Sequence, residues 1–159
     1  MEIPAIETAQ GVLSRVIAIR IKPGTDFLEG LYEICERHGI KNGLLLSCIG
    51  SLKDVQFCNP VEMPHRKAGY GYGDGMRLSG PIELDSATGV ICHDDQGQRN
   101  LHIHVTLSDR SGKAYAGHLL EGATVLLNVD AVIGEIGGVE MLRRYDPEME
   151  VPRLSPRQA

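Results

Sequence analysis

The sequence predicts an α+β fold in which one main early helix packs on a mostly antiparallel β-sheet. Apolar residues recur at helical spacing in one early stretch, FLEGLYEICERH at 27–38. The rest of the chain breaks into short Ile-, Val- and Leu-rich runs separated by glycines and other turn residues, as strands joined by hairpins do. A parallel sheet would require crossover helices that the pattern does not supply.

The elements follow in chain order. SRVIAIRI at 14–21 is short and β-branched, so it is predicted as a strand. Asp26 then offers an N-cap, with Glu29 as its capping-box partner. Phe27, Leu28, Leu31, Ile34, Cys35 and His38 form one helical face, and Gly39 occupies the position that favours a left-handed residue. On that helix Cys35 and His38 are expected to flank the core. GLLLSCIGSLKDVQFC at 43–58 is predicted as a buried strand, a Gly-Ser break and a second strand, with Cys48 packed in the apolar run. Residues 59–75 are rich in Pro and Gly and are predicted as a long loop. Within them GYGYGDG lacks the strand–turn–helix setting of a dinucleotide-binding loop. Further strands are predicted at about 76–84, 88–92, 100–107, 113–120 and 123–136, with a bulge or bend at Gly80-Pro81. The single domain, 1–159, has its core at about 14–136 and a C-terminal tail at 137–159. The Pro- and charge-rich end of that tail is expected to lie along the surface or reach a neighbouring subunit.

Composition narrows the function classes. There is no Trp and there are only two Phe, so the core must be aliphatic. Sixteen Lys and Arg against 21 Asp and Glu leave a net charge of −5, which opposes a sequence-independent grip on nucleic acid. Arg143, Arg144, Arg153 and Arg157 form a late basic cluster that Asp146, Glu148 and Glu150 dilute. The four cysteines, at 35, 48, 58 and 92, form no CxxC pair and are expected to be reduced thiols of a cytoplasmic protein. Neither a signal peptide nor a membrane-spanning apolar run is visible.

The specific chemistry lies in LHIHVTLSDRSGKAYAGHLL at 101–120. On a strand, Leu101, Ile103, Val105 and Leu107 share one apolar face, and His102, His104 and Thr106 share the other. DRSGK suits a type I turn followed by a G1 bulge, so Asp109 faces Lys113 and, counting back, His104 faces His118. Directly opposed residues point the same way. His102, His104 and His118 therefore gather on one face, beside the small Ala114 and Ala116, and can bind a borderline divalent metal such as zinc. A set of three histidines leaves an open position for water, and Glu121, Asp94 or Asp95 could act as a base there. His65 and His93 are expected in loops; Cys92-His93 could add a ligand, but the spacing does not require it.

KPGTDFLEGLYEICERHGI, LLLSCIGSLKDVQF, MRLSGPIEL and LHIHVTLSDRSGKAYAGHLLEGATV, taken in that order over about 14–136, resemble the PPC domain, the "plants and prokaryotes conserved" domain. The most specific pieces are PG-x-D before the helix, S-x-x-GS, and HxH followed by GHL. The resemblance implies a PPC-like antiparallel α+β domain that assembles as a homotrimer. It also implies that, as in bacterial members, the histidines of HxH and GHL hold a metal ion, which falls on His102, His104 and His118. In plants the domain accompanies AT-hooks and acts in nuclear proteins that bind AT-rich DNA. VPRLSPRQA at 151–159 lacks the Gly-Arg-Pro centre of a hook.

The first expectation is thus a metal-binding homotrimer, with zinc as the ion, acting as an assembly and binding module and DNA-associated by family. The alternative is a metal-dependent enzyme, a hydrolase or lyase, whose three-histidine centre acts on a small molecule. A cupin-like barrel also uses HxH and a later His, but no Glu follows His104 at three or four residues and the early helix fits it poorly.

Overall fold

The computed structural model describes residues 6–159. Among them are one helix, α1 (Phe27–Arg37), and ten strands: β1 (Val12–Ile21), β2 (Gly43–Cys58), β3 (Pro60–Glu62), β4 (Tyr70–Tyr72), β5 (Met76–His93), β6 (Arg99–Asp109), β7 (Ala114–Leu119), β8 (Thr124–Gly137), β9 (Val139–Asp146) and β10 (Val151–Gln158). Eight strands form one sheet in the order β1-β8-β2-β7-β6-β5-β9-β10, and β3 pairs with β4. The sheet is antiparallel except where His93 of β5 meets Leu142 of β9. The expected antiparallel sheet is present, but with a single 11-residue helix the chain is more β-rich than an α+β fold built on a main helix implies.

Strand β2 organises the sheet. It pairs with β8, β5 and β7, so β2, β5, β6 and β7 close into a ring of pairings around the core. The alternation read on β6 holds: Leu101, Ile103, Val105 and Leu107 are 8, 2, 2 and 0% exposed. Phe27, Leu31 and Cys35 of α1 join the same cluster. Asp26 caps the helix through Oδ1, which accepts from the Glu29 N–H at 3.0 Å, while Oδ2 accepts from the Gly122 N–H at 3.0 Å. The reciprocal bond of a capping box is absent among the described residues. Gly39 follows the helix at φ 63°, as its position required. The Tyr32 hydroxyl accepts from the Leu101 N–H at 3.2 Å and ties α1 to the start of β6.

Four stretches depart from expectation. Gly50-Ser51 does not break β2: a Cβ on Gly50 would lie 2.3 Å from the Asn128 carbonyl oxygen, so glycine here serves the close approach of β8. Residues 76–92 form one long strand, because the expected irregularity at Gly80-Pro81 is a bulge that the ladder absorbs, with Leu52 opposite Ile82 and Asp54 opposite Ser79. The stretch 59–75 carries a short antiparallel pair, with Val61 opposite Gly71. The end of the chain is a hairpin, β9–β10, whose last strand lies at the sheet edge with no buried residue. Val139 and Met141 are buried against Cys92 with Val90 alongside, and Pro152 and Pro156 sit in the edge strand, where a missing N–H costs least.

Gly89 on β5 faces Ile103 on β6, and a Cβ there would lie 2.1 Å from the His102 carbonyl oxygen. Gly89→Ala is expected to lower stability by about 1–3 kcal/mol, read as a lower urea midpoint at unchanged slope. A midpoint equal to wild type would mean that β5 and β6 part without cost.

Candidate metal centre

The turn between β6 and β7 fixes the geometry of the site. The Asp109 N–H donates to the Lys113 carbonyl at 3.1 Å, and the Gly112 N–H donates to the Asp109 carbonyl at 2.8 Å. Gly112 has φ 80°, the left-handed value a G1 bulge requires. Asp109 Oδ1 accepts from the Ser111 and Lys113 N–H groups at 2.8 and 3.1 Å and from the Ser111 hydroxyl, and Oδ2 accepts from the Tyr115 hydroxyl at 3.2 Å. The bonds from Ser111, the side-chain one first, draw its carboxyl down to about 2, so the turn keeps its anion in mild acid. The resulting register sets Leu107 opposite Tyr115, Thr106 opposite Ala116 and His104 opposite His118.

The three imidazoles converge. Ring centroids lie 5.0 Å apart for His102–His104, 4.9 Å for His102–His118 and 5.5 Å for His104–His118. One nitrogen from each lies within 4.8 Å of the others. His102 Nε2 and His104 Nε2 are 3.1 Å apart. Two ligands at zinc distances on a tetrahedron would stand about 3.3 Å apart, so this pair is already near chelating separation. His118 Nδ1 is buried without a hydrogen-bond partner. An unpartnered buried imidazole nitrogen costs stability unless something takes its lone pair or proton. The donor set and the orphaned nitrogen both fit a metal ion.

Electrostatics favour the neutral, ligating form of the rings. His102 is pushed from the usual 6.5 down to about 4, first by burial, then by the Arg143 guanidinium and the two neighbouring rings. His118 is lowered by burial, by His104 and by Arg143.

The surroundings hold residues that the sequence did not connect with the histidines. The Tyr72 ring, on β4, lies 5.1 Å from the His118 ring, centroid to centroid, within the stretch expected to be loop. Cys58 is buried opposite His118 at the end of β2, and burial raises its thiol. Asn59 donates to the Ala116 carbonyl at 3.1 Å. Arg143, from the stretch expected to lie on the surface, donates to Asn100 Oδ1 at 3.1 Å, on the strand that carries His102. Only long-range pairing could have revealed these neighbours; no local motif encodes them. The carboxylates considered as bases do not join the cluster. Asp94 accepts from the Gln96 and Gln98 N–H groups at 2.9 and 2.8 Å, Asp95 pairs with Arg144 at 2.6 Å, and Glu121 is exposed. His65 lies in a turn as expected, whereas His93 ends β5 and is not in a loop. Cys35, Cys48, Cys58 and Cys92 are buried free thiols, and burial raises Cys35 to about 11, Cys48 to about 12 and Cys92 to about 11.

Fold and site together define a single-helix, antiparallel β protein with a three-histidine cluster on the outer side of its sheet. The chain belongs to the Plants and Prokaryotes Conserved (PCC) domain family, whose model matches residues 8–137. A metal-containing protein from Archaeoglobus fulgidus is similar in structure, with TM-score 0.79 and 22% identity, over 94% of this chain and 99% of that one. A plant- and prokaryote-conserved (PPC) protein from Pyrococcus horikoshii gives 0.77 at 25% identity, over 93% and 97%. A structure from Bacteroides thetaiotaomicron, described as that of a candidate DNA-binding protein, gives 0.74 at 23%, over 90% and 93%. Two bifunctional GlmU proteins from Synechococcus strains are 24% identical over 133 residues, 84% of this chain and 19% of theirs. The chain thus spans about a fifth of the length of these curated relatives. No helix among the described residues is long and apolar enough to cross a membrane.

The depressed histidines set a pH dependence for the metal-free protein. His102 ionises at 6.5 when unfolded and near 4 when folded. Between those values the unfolded chain binds more protons, so stability is full above 6.5 and falls as the pH drops towards 4. Urea midpoints measured across that window should decline, and His102→Gln should flatten the decline. Identical slopes in the two proteins would contradict the assignment.

Proposed function

We propose that this chain is a metal-binding module that holds a divalent ion, zinc by its donor set, on His102, His104 and His118, and works as a homotrimer in the cytoplasm. The observation that carries the metal reading is the convergence of three imidazole nitrogens within 4.8 Å, with His118 Nδ1 buried and unpartnered. Bound there, the ion would supply Lewis acidity at an open coordination position. Self-assembly is supported by exposed apolar residues on the outer face of β1, β8 and β2, which also carries the Arg20–Asp130 ion pair and Ser47. Val16 and Ile49 are 54 and 55% exposed there, beside Ala18 and Val132. Exposed apolar residues of this kind suit a subunit contact, and in a three-fold ring each copy would set this face against a different face of its neighbour.

A second reading, a metal-dependent hydrolase or lyase acting on a small molecule, is favoured by Tyr72 against the cluster and by the free coordination position that three ligands leave. DNA association rests on the descriptions of structural neighbours, and the net charge of −5 weighs against phosphate contacts.

Metal content and mass decide the first reading. Wild type purified with zinc should carry about one ion per chain, and His104→Ala should lose it while keeping its fold. Equal metal in the two proteins would end the assignment. Sedimentation equilibrium should give three times the chain mass, and Ile49→Asp should shift it towards the monomer. A monomeric wild type would refute the trimer. In gel shifts, DNA binding that is absent or insensitive to salt would exclude phosphate-based recognition.

A further inference from the structure

Among the described residues the three-histidine cluster includes no carboxylate. Neutral imidazoles leave the full charge of a divalent ion uncompensated, and ligand chemistry must supply the balance from outside the protein. A fixed positive charge, that of Arg143, is held at Asn100, two residues along β6 from His102. Val139, Met141 and Arg143 alternate along one face of β9, and the first two pack on Cys92, which is directly opposite Asn100. That packing delivers the Arg143 guanidinium to Asn100, where Nη1 donates to Oδ1 at 3.1 Å, while Nη2 donates to the Pro152 carbonyl at 3.1 Å. Asn100 precedes His102 by two residues on β6 and shares its face, about 6.6 Å along the strand.

The partners of Arg143 are both neutral oxygens. On the same hairpin, Arg144 pairs with Asp95 and Arg153 with Asp146, each at 2.6 Å, whereas Arg143 makes no ion pair among the described residues. It is half-buried and held rigid from two sides, yet its charge is not neutralised. Guanidinium groups so arranged are preorganised for planar, bidentate binding of oxyanions. Tyr72 bounds the His118 side of the cluster.

We propose that this centre takes a ligand bearing an anionic oxygen group, carboxylate or phosphate, with one oxygen on the metal and the group anchored by Arg143. The inference rests on the metal reading above and deepens it by naming the class of ligand.

Cobalt(II)-loaded protein tests it without an assay of turnover. The visible bands of the bound ion are followed while acetate, oxalate or inorganic phosphate is added to wild type, Arg143→Gln and Arg143→Lys. Wild type should show saturable shifts with at least one of these anions, and the carboxylate and phosphate arms tell which oxyanion is preferred. Arg143→Gln should bind that anion about tenfold more weakly at unchanged cobalt stoichiometry. Arg143→Lys, which keeps the charge but loses the fork, should lie between, and it carries the comparison if the Gln variant does not fold. Bands that no anion moves in cobalt-loaded wild type, or equal affinity in the three proteins, overturn the proposal and leave the metal reading intact. Failure of wild type to take up cobalt overturns the metal reading, and this inference falls with it.

Discussion

Everything about the site depends on the register of one hairpin. Side chains alternate with period two, so a slip of one residue between β6 and β7 would send His118 into the opposite layer. Two agents hold the register. Asp109 gathers the Ser111 and Lys113 N–H groups and the Ser111 and Tyr115 hydroxyls on its carboxylate, while Gly112 at φ 80° supplies a backbone that residues with a Cβ adopt at a cost of roughly 1–2 kcal/mol. The apolar face of β6 is the other agent. A slipped β6 would take Ile103, Val105 and Leu107, which are nearly fully buried, out of the core. Turn chemistry and core burial specify the same answer, which is why the rings meet without any bond between them beyond the 3.1 Å approach of His102 and His104.

This agreement also explains what could be read from the sequence. The helix, its Asp26 cap, Gly39, the β6–β7 hairpin and the gathering of the three histidines rest on residues within a few positions of one another, where turn and periodicity rules act. The misreadings rest on contacts distant in sequence. Gly50-Ser51 reads as a break until β8 is seen to need the space over Gly50. GYGYGDG reads as loop until Val61 pairs with Gly71 and the Tyr72 ring comes to His118. The stretch after residue 138 reads as a charged tail because Arg143, Arg144 and Tyr145 mask the alternation of Val139 and Met141, and because two prolines argue against a central strand but not against an edge one. Arg143 was therefore legible as a charge but not as a neighbour of the site.

The late elements thus finish what the central hairpin begins. Strands β6 and β7 supply the three converging imidazoles. Strand β4 brings an aromatic ring to one side, and β9 brings an unneutralised guanidinium to the other through Asn100. Among the described residues no acid joins the cluster: Asp94 caps its own loop and Asp95 is paired with Arg144. Neutral donors bordered by a guanidinium leave the positive charge of the region unbalanced by the protein.

The placement of the site relative to the core has a consequence for how fold and chemistry relate. The residues that stabilise β6 point inward, to Phe27, Leu31 and the buried faces of β2, β5 and β8, while the histidines point outward and contribute little to that cluster. The core therefore does not depend on the three imidazoles, unlike small zinc modules whose folding free energy is the binding free energy. The scaffold is free to keep its shape while the outward face changes, so likeness of fold at 22–25% identity speaks to the fold and not to the chemistry of the outward face. What fixes the chemistry here is local: which side chains occupy 102, 104 and 118, and which late strand reaches them.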